Sequence, residues 1–172
     1  MLLPIVQYPD PFLRQICKDV EGVNDEIRTL AANMLETMYA APGVGLAAPQ
    51  VGLHLRMLVM DQGGEEHRSP RVVINPHLEL SGETICSEKE GCLSVPLDFR
   101  GDVMRKSHVH LTYRDLDWNL IDVELDGFEA IIVQHEADHL DGVLFIDKIS
   151  RLRRLIYENK VKKWMRRQKK NA

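Results

Sequence analysis

The sequence predicts an α+β fold in which antiparallel β-sheets pack around one central helix, flanked by an N-terminal amphipathic helix and a basic C-terminal helix. Five strand-like runs follow one another with only short breaks, and no helical segment lies between them. That excludes the crossover connections a parallel sheet requires. Helical periodicity is confined to stretches before and after this block. With 172 residues, 44% of them hydrophobic, the whole chain has the size of a single domain able to bury a sizeable core.

From the N-terminus, Asp10-Pro11 opens a short helical turn, and Asn24 or Asp25 opens the first helix. Ile27, Leu30, Ala31, Met34, Leu35, Met38 and Tyr39 recur at the helical period until Pro42-Gly43 ends it. The segment Gly43 to Gly52 reads as a small-residue loop whose glycines and alanines permit close backbone approach. Strand-like runs follow at 56–61, 72–80, 83–87, 103–113 and 120–125, broken by Gly63-Gly64, Ser81-Gly82 and Asp117-Trp118-Asn119. The last of these turns carries no glycine.

The central helix runs from Asp126 to Gly142, with Asp126 as N-cap, Glu129 completing a capping box and Gly142 as a left-handed stop. It carries His135-Glu136-Ala137-Asp138-His139. Two imidazoles four residues apart stand one helical turn apart and can grip one metal ion, while Glu136 reaches the ion's open side as a proton-handling carboxylate. Phe128, Ile131 and Ile132 share the stripe of His135 and His139, which turns the pair toward the core.

A catalytic metal of this kind takes three protein ligands and leaves one position for water. The long protease pattern H-E-x-x-H-x-x-G-x-x-H fails, because Phe145 stands where its last histidine belongs. Glu158, the remaining C-terminal carboxylate, would make a zinc endopeptidase with His135 and His139. Upstream, Cys92 in Glu90-Gly91-Cys92-Leu93-Ser94 is the stronger third ligand. A thiolate with two imidazoles suits ferrous iron, zinc, nickel or cobalt and disfavours magnesium or calcium. Cys17 and Cys86 read as ordinary small buried residues, and the other five histidines as surface or strand residues.

Gly43-Val44-Gly45-Leu46-Ala47-Ala48-Pro49-Gln50, Glu90-Gly91-Cys92-Leu93-Ser94 and Gln134-His135-Glu136-Ala137-Asp138-His139, in this order and spacing, closely resemble the three signature motifs of the bacterial peptide deformylases. The resemblance implies a metallohydrolase that removes the formyl group from the N-terminal formylmethionine of nascent polypeptides. It implies one divalent ion, natively ferrous iron, on Cys92, His135 and His139, with Glu136 moving the proton. Gln50 and the Leu93 N–H would meet the charge developing on the formyl oxygen. Val44, Phe128, Ile131 and Ile132 would line a methionine pocket, and the peptide would lie extended beside Val44, Gly45 and Gly91. One departure is the segment Leu97-Asp98-Phe99-Arg100-Gly101, one residue longer than usual, which leaves Arg100 without an assigned role.

Three cysteines at irregular spacing do not form a disulfide framework, no secretory leader is visible and no apolar run approaches membrane-spanning length. The cytoplasm is the expected compartment. Residues 151–172 hold ten Lys or Arg against the single Glu158, a net of +9, so the chain total of −4 leaves −13 on residues 1–150. By resemblance, this tail faces ribosomal RNA. Leu152, Leu155, Ile156, Asn159 and Lys163 fall on one helical face, through which the tail helix is expected to dock on the domain.

Overall fold

Helix α1 (Asp25–Ala40) starts where the Asn24 side chain accepts the Ile27 N–H at 2.9 Å, so Asn24 and not Asp25 is the cap. The computed structural model describes residues 1–63 and 66–171, with Asn171 by its backbone alone; Gly64 of the predicted Gly63-Gly64 break and Ala172 lie outside the described residues. The strands are β1 (Gly45–Ala47), β2 (Met57–Met60), β3 (Arg71–Glu90), β4 (Gly101–Arg114) and β5 (Leu120–Asp126). They form one five-stranded antiparallel meander in chain order, not several sheets. Helices α2 (Gly127–Leu140) and α3 (Arg151–Asn171) complete the chain, and Asp10 caps a single 3-10 turn, Pro11–Arg14, as expected.

The two runs predicted at 72–80 and 83–87 are one long strand. The Ser81-Gly82 break is an irregularity in its pairing with β4, between Ser81 and Thr84, where Gly82 takes a positive φ of 74°. β1 falls in the segment read from sequence as a loop; three residues are too short for an alternation signal to register. At the β4–β5 turn, Trp118 occupies the left-handed position that a glycine would fill, with φ 65°. Its carbonyl accepts a hydrogen bond from Arg114 Nη1 at 3.0 Å, and the Arg114 guanidinium lies over its ring.

β2 is buried on both faces, and this places the helices. Met57 and Val59 face α1 through Ala31, Met34 and Met38, while Leu58 and Met60 face α2 through Ala130, Ile132 and Val133. Helix α2 is therefore buried on most of its surface, including His135, Glu136 and His139. Asp126 holds its N-cap position, but no capping box forms: the Asp126 carboxylate instead accepts from His108 Nδ1 at 2.6 Å. Gly142 takes the left-handed stop, φ 72°.

A third cluster seats α3 against Leu13, Val95, Val103 and Phe145 through Tyr157 and Val161, with Trp164 and Met165 beside them. The face predicted to dock is the wrong one. Leu152, Leu155 and Ile156 are 69%, 47% and 49% exposed, against 1% for Tyr157 and 2% for Val161. Helical spacing alone offered two stripes, and the aromatic one, which buries more area, is inside. No described helix is long and apolar enough to cross a membrane.

Candidate active site

Three segments meet at a cavity of about 540 Å³: β1 with the turn before it, the loop after β3, and the inward face of α2. Val44, Gly45, Gln50, Gly91, Cys92, Leu93, Phe128, Ile131, Ile132, His135 and Glu136 all line it, so the structure brings together every predicted pocket and catalytic residue. Cys92 Sγ lies 3.2 Å from His139 Nε2, and one donor atom each from Cys92, His135 and His139 falls within 4.8 Å of the others. Glu158 is not among them; its Oε1 accepts from Arg154 Nε at 2.9 Å. A soft sulfur and two imidazole nitrogens, converging without a fourth protein donor among the described residues, fit a divalent metal with one face left open.

The imidazoles are prepared for that role from behind. His135 Nδ1 bonds Glu90 Oε1 at 2.6 Å, which leaves its Nε2 as the free nitrogen. Glu90 is clamped by the buried Arg105 through Nε and Nη2, and Arg105 Nη1 donates to Asp138 Oδ2 at 2.8 Å. Burial pushes the Glu90 carboxyl up, but hydrogen bonds from His135 and Arg105 outweigh it and hold it down at about 2. Burial, reinforced by nearby positive charge, keeps His139 well below its ordinary range and so neutral.

Glu136 is the opposite case. Its Oε2 is buried without a hydrogen-bond partner, and burial pushes its carboxyl up to about 7. The carboxyl lies against Gly45 so closely that a Cβ there would sit 2.4 Å from Oε1, so only glycine fits. Gln50 is fixed at both ends, its Oε1 accepting the Ala47 N–H at 2.8 Å and its Nε2 donating to Ser94 Oγ at 3.1 Å and Cys92 Sγ at 3.4 Å. Among the described residues the N–H of Leu93, which lines the cavity, donates to no protein acceptor.

Sequence reasoning missed Glu90, Arg105 and Asp138 as supports. Arg105 carried a signal: in the alternation of β4, where Val103, Val109 and Leu111 point inward, an arginine at an inward position demands buried partners. Arg100, unassigned from sequence, folds across Gly91, where an added Cβ would meet its Nη1 at 2.6 Å.

Comparison with known proteins gives the family. The profile of the polypeptide deformylase family matches residues 2–155. The peptide deformylase of Acinetobacter baumannii is 48% identical over 165 residues, covering 96% of this chain and 93% of that protein. The one from Mesorhizobium japonicum is 48% identical over 161 residues, covering 93% and 91%. Among solved structures, a peptide deformylase from Legionella pneumophila superposes with a TM-score of 0.89 at 38% identity over 98% of both chains. One from Ehrlichia chaffeensis in complex with actinonin superposes with a TM-score of 0.86 at 39% identity, over 94% of this chain and 96% of that one. With fold and sequence coinciding along nearly its whole length, the chain belongs to the polypeptide deformylase family.

Proposed function

We propose a division of labour among these residues for the family's reaction. The chain is a hydrolase that removes the N-formyl group from the formylmethionine of nascent polypeptides, releasing formate. Cys92, His135 and His139 are the metal ligands, and Glu90 fixes the tautomer and ring plane of His135. When bound, a divalent metal, with ferrous iron the proposed resident and zinc, nickel or cobalt suited to the same donors, supplies Lewis-acid activation of the attacking water. Glu136 accepts the water's proton and delivers it to the departing nitrogen, which must leave as a neutral amine. Gln50 Nε2 and the Leu93 N–H donate to the formyl oxygen as it gains charge. The methionine side chain enters between Val44, Phe128, Ile131 and Ile132, and the peptide backbone runs past Gly45 and Gly91 along the free edge of β1.

The observation that carries this reading is the unpartnered Glu136 carboxyl beside the convergent Cys92, His135 and His139 donors in one cavity. It is tested by formate release from a formyl-Met peptide, using anaerobically prepared protein of measured metal content. Cys92→Ala loses metal and activity together; a variant that kept both would return the third-ligand position to Glu158.

The chain acts as one domain in the cytoplasm, with residues 150–172 its basic C-terminal helix and the ribosome its second partner. Lys162, Lys163, Arg166 and Arg167 are exposed on α3, beyond the ridge of Leu152, Leu155 and Ile156. Replacing these four with Glu weakens ribosome binding and flattens its salt dependence. Substitution is a cleaner test than truncation from Lys160, because Val161, Trp164 and Met165 pack into the core.

A further inference from the structure

The cavity has a lip that belongs to neither the metal centre nor the methionine pocket. Asp98, Phe99 and Arg100 line its outer edge, on the loop between β3 and β4. Leu97 and Asp98 both take left-handed backbone conformations, φ 68° and 45°, without being glycine. Such residues persist where the surroundings hold them.

What holds them is α3. The Tyr157 hydroxyl donates to the Pro96 carbonyl at 3.2 Å, and Arg153 Nη2 donates to the Arg100 carbonyl at 3.1 Å. Between these two anchors, the Phe99 ring stacks on Tyr157 with centroids 4.2 Å apart and planes at 26°. Tyr157 is itself fixed, buried in the cluster that seats the helix. The helix thus grips both ends and the middle of the lip.

We propose that Tyr157 and Arg153 are positioning residues for the substrate. By holding the Phe99–Arg100 lip across Gly91, they set the grip on the peptide residues that follow formylmethionine, and they make α3 part of the substrate site as well as an outer appendage. The proposal rests on reading the cavity as the peptide site. The lip lies outside the methionine pocket, so its contribution falls on peptide length and not on the chemical step.

The test compares N-formylmethionine amide with a formyl-Met tetrapeptide on the metal-loaded full chain, wild type against Tyr157→Phe, Arg153→Gln and the pair combined. Tyr157→Phe keeps the stacking and removes one hydrogen bond; Arg153 is half exposed, so its replacement leaves the core intact. The combined variant is expected to raise KM for the tetrapeptide about three- to tenfold, the scale of one or two lost hydrogen bonds. kcat, metal content and both constants for the amide stay within about twofold, and Arg153→Lys restores part of the loss. Equal losses on both substrates, or no change on either, overturn the proposal. Ile131→Trp checks the underlying reading separately: it must depress turnover of both substrates, and if it does not, the cavity assignment fails whatever the α3 variants do.

Discussion

Two pairs of histidines stand beside carboxylates in this molecule, and the contrast between them shows what makes a site. His135 and His139 are buried on α2, where a one-turn spacing points both rings at Cys92. His108 and His110 lie two apart on β4, on the open face of the sheet, His108 between two acids of β5 and His110 between one acid of β3 and one of β5. His108 Nδ1 bonds Asp126 at 2.6 Å and its Nε2 bonds Glu124 at 2.5 Å; His110 Nε2 bonds Asp122 at 2.7 Å and its Nδ1 bonds Glu79 at 3.4 Å. An imidazole with a carboxylate on each nitrogen is held as a two-proton donor and has no lone pair to offer. The buried pair keeps a nitrogen each for the cavity: one carboxylate serves His135 from behind and leaves its Nε2, and His139 has no carboxylate partner and turns its Nε2 to Cys92 Sγ at 3.2 Å. Unspent donor capacity in a closed cavity, more than histidine content, separates chemistry from surface electrostatics.

The sharpest way to break that contrast is at Glu136, whose free oxygen is the other unspent group. Glu136→Gln is expected to lower turnover by about 10²–10⁴-fold with metal content unchanged, because a general acid–base group is lost and no ligand is. Loss of the metal with the activity would make Glu136 a ligand. Gln50→Ala comes next. It removes a donor aimed at charge that exists only in the transition state, so kcat drops by about 10²–10³-fold while KM moves little. A pure KM effect would move Gln50 from catalysis to binding.

A third variant tests whether the carboxylate behind His135 is a support or a bystander. Glu90→Gln leaves an uncharged oxygen for the imidazole but unbalances Arg105, which is 3% exposed and has only Asp138 left as a charged partner. Metal affinity is expected to fall about 10–100-fold, as for other supports of ligand histidines. The melting temperature falls too, since breaking a buried ion pair from one side leaves the other charge uncompensated. Unchanged affinity in metal titrations would show that His135 needs no orienting partner.

What was legible in the sequence follows the range of the interactions. Residues acting within one short segment were readable: His135, Glu136 and His139 on a single helix and Cys92 between a glycine and a leucine, whereas Gln50, behind its small-residue turn, was singled out only by the resemblance of the three motifs. Residues whose meaning depends on a distant partner were not. Arg105 acquires its role only when β4 lies beside Glu90 and α2, and Arg153 and Tyr157 only when α3 packs against the loop after β3. The docking face of α3 was misread for the same reason: both candidate stripes have helical spacing, and the cluster around Phe145 that chooses between them is assembled from several elements. The merged strand β3 shows a local limit, since Ser81-Gly82 is turn chemistry that the long pairing with β4 absorbs as an irregularity.

The smallest expected effect belongs to the surface pair, and it is the one that makes the comparison quantitative. Hydrogen bonding to Asp126, then to Glu124, raises the His108 pKa above its ordinary 6.5, and Asp122, then Glu79, do the same for His110. The folded chain therefore holds these protons more tightly than the unfolded chain does, so the stabilisation is fully present below 6.5 and fades as pH rises through the raised values. The double variant His108→Gln, His110→Gln should melt slightly below wild type at about pH 6, and the gap should close by about pH 9, where both imidazoles are neutral in either state. Both rings are solvent-accessible and screened, so the gap is small and shrinks with added salt. Turnover and metal content stay at wild-type values throughout, because nothing in this cluster reaches the cavity. A double variant that lost metal, or a melting gap unchanged from acid to alkaline pH, would erase the distinction between the two histidine pairs on which the assignment of the site depends.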